Sequence, residues 1–106
     1  MTSNRLFVYG IFLDEGTRLW YGMTNPRYAV VQGYATVGVH KDIVEAIKVS
    51  DDFHLTGLIV DVAPKVADDI HGVRSNWQRL DALESGYRRK MVQTLQGDKC
   101  WMYVAR

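Results

Sequence analysis

Apolar and polar positions along the chain fall into short runs punctuated by glycine. LFVYG, from Leu6 to Gly10, is an apolar and aromatic run closed by a glycine, which predicts a buried first strand. From Gly10 to Pro26 the pattern breaks. Gly10, Gly16, Gly22 and Pro26 are interleaved with Phe12, Trp20 and Tyr21, predicting a long connection with a short helix around Thr17 to Tyr21. Three strand-like runs follow: YAVVQGYATVGV, IVEAIKV and HLTGLIVDV. In the last, Leu58, Val60 and Val62 share one face and Leu55 and Ile59 the other, so that strand belongs inside a sheet or barrel. Pro64 suits the first turn of a helix, APKVADDIHGV, that stops near Gly72. Ser75 or Asn76 is placed to cap a second helix, WQRLDALE, with Gly86 as its C-terminal punctuation. RKMVQTL and KCWMYVA close the chain as two strands joined across Gln96-Gly97-Asp98. This order predicts one α+β domain over residues 1–106, with a mostly antiparallel, barrel-like sheet.

Helical phase singles out one carboxylate. At about 100° per residue, with Trp77 as origin, Leu80 falls at about −60° and Leu83 at about −120°. Glu84 falls at about −20°, inside that apolar stripe, whereas Asp81 falls at about +40°, on its edge and better placed for solvent. A glutamate turned towards the core has its ionised form disfavoured by burial, and the negative end of the helix dipole acts in the same sense. Arg88 and Arg89 oppose both effects if they fold back. A glutamate near a helix end usually reaches water or pairs with a neighbouring arginine, so phase alone makes an acid/base role admissible without establishing it.

Composition narrows the setting. The sequence is 47% hydrophobic and 24% charged, which is that of a globular rather than a disordered chain. With 13 basic and 12 acidic residues, the formal charge of +1 offers no footprint for nucleic acid or for a membrane surface. No apolar run approaches the roughly 18 residues of a membrane helix, and MTSNRLFVYG lacks the features of a signal peptide. Cys100 is the only cysteine, so no intramolecular disulfide forms. A cytoplasmic, soluble protein is the expectation.

Other chemistries find little purchase. His40, His54 and His71 are widely spaced and make no metal-binding pattern, so no metal site is expected. Ser3, Ser50, Ser75 and Ser85 lack a nucleophile-elbow context, and Cys100 reads as a small core residue. The glycines form neither a P-loop nor a dinucleotide fingerprint. Trp20, Tyr21, Trp77, Trp101 and Tyr103, without a basic face beside them, read as core or pocket wall rather than as base-stacking platforms.

Four stretches in order, LFVYGIF (Leu6 to Phe12), GLIVDV (Gly57 to Val62), LDALESGYRR (Leu80 to Arg89) and CWMYV (Cys100 to Val104), resemble the gamma-glutamylcyclotransferase-like family across almost the whole chain. The resemblance implies a mixed, mostly antiparallel β-barrel with one or two outer helices. It also implies cyclisation of a small gamma-glutamyl substrate to 5-oxoproline, with release of an amine or amino acid and no metal or organic cofactor. Carried over residue by residue, Glu84 is the general acid/base. Tyr9, Gly10, Ile11 and Phe12 hold the glutamyl end through backbone groups, and Tyr87 is a further substrate contact. Two departures stand out. The family's Thr/Ser-Leu after the glycine is Ile11-Phe12 here, and only Ser85 and Gly86 separate Glu84 from Tyr87. Both are compatible with an inactive member of the same fold that binds a small ligand or a protein partner.

Overall fold

The computed structural model describes residues 4–40, 43–63 and 75–106. Its main sheet has five strands in the order β2-β5-β1-β7-β6. In chain order these are β1 (Arg5–Val8), β2 (Met23–Gln32), β3 (Tyr34–His40), β4 (Ile43–Lys48), β5 (His54–Val62), β6 (Tyr87–Gln93) and β7 (Lys99–Ala105). β3 and β4 pair with each other as a separate two-stranded ribbon. Neighbours in the main sheet run antiparallel except β1 and β7, which are parallel, so the expected mixed, mostly antiparallel α+β architecture is present. Two helices lie among the described residues, α1 (Glu15–Trp20) and α2 (Asn76–Leu83). The helix expected after Pro64, and His71 with it, fall outside the described residues.

Alternation along the central strands builds two cores. Phe7 of β1, Ile59 of β5 and Met102 of β7 are buried on one face, together with Val31, Tyr34 and Ala46. Leu6, Val8, Val60, Val62 and Tyr103 are buried on the other, together with Leu80 of α2 and Met23. The two-sided apolar pattern of HLTGLIVDV thus has the physical meaning read from it: β5 is an interior strand.

Closure into a barrel does not occur. The edge strands β2 and β6 approach at one bridge, Val31 opposite Thr94, where the Leu95 N–H donates to the Val30 carbonyl at 2.9 Å. A closed barrel needs a continuous ladder at that seam. The chain leaves it at once: Gly33 takes a φ of +86°, open to glycine, and splits YAVVQGYATVGV into β2 and β3. The β3–β4 ribbon then packs β4 against β7 and β3 against β5, covering the Phe7 face instead of extending the sheet. β2 also begins earlier than its apolar run, at Met23, and its register shifts between Thr24 and Arg27, around Pro26.

Local signals set the helix starts. The Asp14 carboxylate accepts from the Thr17 N–H at 2.9 Å, which starts α1 two residues before the sequence pattern places it. Ser75, not Asn76, caps α2, through a reciprocal pair with Gln78 at 3.1 and 2.8 Å. Asn76 is instead buried, donating to the Ala63 carbonyl at 2.8 Å. The last hairpin turns where expected, with Gly97 at a φ of +96° and its N–H donating to the Thr94 carbonyl.

Gly57 shows how tightly β5 is drawn against β1. A Cβ there would meet the Val8 carbonyl oxygen and come within 2.8 Å of the Phe7 ring. Gly57→Ala is therefore expected to lower unfolding free energy by roughly 1–3 kcal/mol in urea titration. Gly38→Ala, where a Cβ meets nothing within 4 Å, should stay within about 0.5 kcal/mol of wild type.

Candidate active site

β1 ends at Val8, and the chain turns immediately into a 3-10 helix, Gly10–Leu13. Gly10 makes that turn with a φ of +64°, and a Cβ on it would lie 3.1 Å from the Val44 side chain of β4. Beside the turn lies a cavity of about 290 Å³, at the small end of ligand cavities. Its floor comes from Phe7 and Val8, and one wall from Tyr9, Gly10, Ile11 and Phe12. Leu83 and Glu84 from the end of α2, Tyr87 of β6, Val44 and Tyr103 complete the lining. All six residues to which the family resemblance gives a role line one cavity.

Glu84 closes α2. Its N–H donates to the Leu80 carbonyl at 2.8 Å, and its own carbonyl accepts from the Tyr87 N–H at 2.9 Å. The short Ser85-Gly86 link is thus a hydrogen-bonded turn that returns the chain to the same cavity, so Glu84 and Tyr87 sit side by side. Leu80 is fully buried and Leu83 is 47% exposed, so the apolar stripe is anchored at Leu80 while its far end opens at the cavity. Burial pushes the Glu84 carboxyl above the ordinary glutamate range.

The arginines do not fold back onto it. The Nε of Arg89 lies 3.0 Å from the Asp81 carboxylate, and its guanidinium stacks 4.6 Å from the Trp77 ring centre and 5.1 Å from that of Trp101. Asp81 also accepts from the Tyr103 hydroxyl at 2.7 Å. Burial first, and this bond second, hold the Tyr103 phenol far above its usual range. Among the described residues no ion pair reaches Glu84. Asp81, solvent-facing by helical phase, is the residue that collects the arginine. Its partners become visible only from the β6–β7 register, which sets Arg89 opposite Tyr103.

The tyrosines differ in role. The Tyr9 hydroxyl donates to the Tyr103 carbonyl at 2.6 Å and accepts from the Ala46 N–H at 3.1 Å. Burial pushes its pKa up to about 12, so it is a neutral phenol. The Tyr87 pKa is also raised, by burial first and then by the charges of Glu45 and Glu84. Val44 and Glu45 carried no signal in the sequence, because they belong to this site only once the ribbon is docked. Phe12 is 5% exposed and packs edge-on to Tyr21 with ring centres 5.8 Å apart, so its bulk goes into the core rather than filling the cavity. Ile11 is 48% exposed at the cavity edge. Cys100 is buried and its thiol is pushed up to about 11 by burial, the state of an inert core residue.

No protein-family model and no curated protein matches the sequence. Comparison of folds does find relatives. An uncharacterised protein of Pyrococcus horikoshii superposes with a TM-score of 0.69 at 20% identity, over 97% of this chain and 78% of that one. A protein of Arabidopsis thaliana superposes at 0.70 with 19% identity, over 96% of this chain and 68% of the other. A gamma-glutamyl cyclotransferase superposes at 0.62 with 14% identity, over 99% of this chain and 68% of the enzyme. The chain has the gamma-glutamyl cyclotransferase-like fold. At these identities the likeness shows the fold alone.

The raised Glu84 pKa has a stability consequence whose sign is fixed. As pH rises past the ordinary glutamate value of 4.5, the unfolded chain loses its proton first, so the folded state loses stability until its own pKa is passed. Glu84→Gln removes that penalty. Urea unfolding should give matching stabilities for wild type and variant below that value and a more stable variant at neutral pH. A less stable variant at neutral pH would instead mean that the carboxylate is favourably paired.

Proposed function

We propose that the protein is a gamma-glutamyl cyclotransferase-like enzyme in which Glu84 is the general acid/base. The observation that carries this reading is that Glu84, its carboxyl raised by burial, lines the same cavity as Tyr9, Gly10, Ile11 and Phe12. In the proposed reaction the Glu84 carboxylate takes a proton from the α-ammonium of a gamma-glutamyl amide. The freed amine attacks the γ-carbonyl carbon of the same molecule, forming the lactam C–N bond. Collapse breaks the original amide C–N bond, and protonated Glu84 returns its proton to the departing nitrogen. The ring nitrogen's second proton follows it through the same carboxylate, leaving a lactam N–H and an ammonium product. The products are 5-oxoproline and an amine or amino acid, with no water consumed. Because nucleophile and electrophile belong to one molecule, much of the acceleration is orientation: a cavity that holds the glutamyl chain folded supplies it. Backbone groups of the Gly10 turn would hold the glutamyl end, and Tyr87 would form part of the wall beside the reacting atoms.

Phe12 supports the catalytic reading over the inactive one. Its ring does not occupy the cavity, and no salt bridge among the described residues immobilises Glu84. The test is an assay of 5-oxoproline release from gamma-glutamyl amines, amino acids and peptides. Wild type should turn over at least one class, and Glu84→Gln should lower kcat/KM by about 10²-fold or more. Binding without product across the panel, or a Glu84→Gln variant as active as wild type, would leave a non-catalytic binder of this fold.

A further inference from the structure

One buried polar group in this cavity is engaged entirely with main chain. The Tyr9 hydroxyl uses its proton on the Tyr103 carbonyl of β7 and its acceptor face on the Ala46 N–H of β4. It therefore joins the Gly10 turn to two strands that do not pair with each other. β4 belongs to the separate ribbon, so no sheet ladder holds it at the cavity. Yet β4 supplies the wall there: Val44 lines the cavity and presses on Gly10, and Glu45 lies beside the Tyr87 hydroxyl. The ribbon's far end is tied by the Gly33 N–H bond to the Phe53 carbonyl, whereas at the cavity end apolar contact through buried Ala46 holds it by area, without direction. The Ala46–Tyr9 bond is directional and fixes the ribbon's position there.

We propose that Tyr9 is a positioning residue whose hydroxyl sets the β4 wall of the cavity, and thereby the fit of the substrate, without itself touching the reacting atoms. The kinetic part of this inference rests on the cyclotransferase reading; the structural part does not. With both hydrogen-bonding faces of the hydroxyl occupied, Tyr9 offers substrate its ring edge and its backbone, not its oxygen. Removing the oxygen leaves the ring in the core and the wall unregistered. Binding is then impaired more than proton transfer, because Glu84 is carried by α2, which β4 does not hold.

The experiment is amide hydrogen exchange by NMR on wild type and Tyr9→Phe, paired with steady-state kinetics on a gamma-glutamyl compound that wild type turns over. In wild type the Ala46 amide should exchange as slowly as the amides of β1 and β7. In Tyr9→Phe it should exchange ~10-fold faster or more while the Met102 amide is unchanged, marking local rather than global opening. KM should rise several-fold, with kcat within about twofold of wild type, the pattern of lost binding rather than lost transition-state contact. A rapidly exchanging Ala46 amide in wild type overturns the proposal even if the variant fails to fold. So does unchanged exchange in the variant, a rise shared with Met102, or a fall in kcat at constant KM. A wild-type chain that makes no 5-oxoproline would sink the cyclotransferase reading and the kinetic part, while the exchange result would still decide whether Tyr9 anchors the wall.

Discussion

Everything in this molecule is arranged around a strand of four residues that is apolar on both faces. β1 pairs antiparallel with β5 and parallel with β7, and Leu6, Phe7 and Val8 are all buried. Phe7 belongs to one core, and Leu6 and Val8 to the other, so the two cores share a backbone. On the β5 side the bare backbone of Gly57 leaves room for the Phe7 ring and the Val8 carbonyl. The turn at Gly10 inherits this rigidity because it begins where β1 stops. A cavity wall built on the end of a buried central strand is held more accurately than one on a free loop.

The second determinant is a division of charge at the end of α2. Two acids three residues apart face different surroundings, and the available cation goes to the more exposed one. Arg89 lies on Asp81 and is flanked by Trp77 and Trp101, an arrangement its planar guanidinium suits. Glu84, half-buried beside Tyr87, has desolvation and no compensating ion pair among the described residues. Tyr103 couples the two halves: its hydroxyl bonds Asp81, and its carbonyl accepts from Tyr9. The environment of Glu84 is therefore shaped as much by what holds its neighbours away as by what surrounds it.

Much of this was legible in the residue pattern, and the gaps have physical causes. Two-sided burial of β5, the last hairpin turn and the inward phase of Glu84 are local periodicities, which a linear pattern records. The break at Gly33 was hidden because apolar residues continue on both sides of a glycine whose backbone angle alone changes the direction. The open seam was hidden because alternation is the same in a rolled sheet and in a barrel. Asp81 is exposed, as its helical phase indicates, but phase is silent about β6 and β7, which bring Arg89 and Tyr103 to it. Val44 and Glu45 were invisible because they come near the cavity only through the docking of the β3–β4 ribbon, whose contacts are far away in sequence.

The single bridge between Val31 and Thr94 makes the rolled sheet a clasp rather than a ring. In a closed barrel any breathing must strain every ladder at once. Here the seam can part at the cost of that bridge and of the Leu95 bond to Val30, leaving the ladders beside β1 intact. Val31 and Val92, buried near that end, would be the first apolar surface to meet water. Local opening of this fold should therefore begin at that seam, where the fewest backbone bonds have to break.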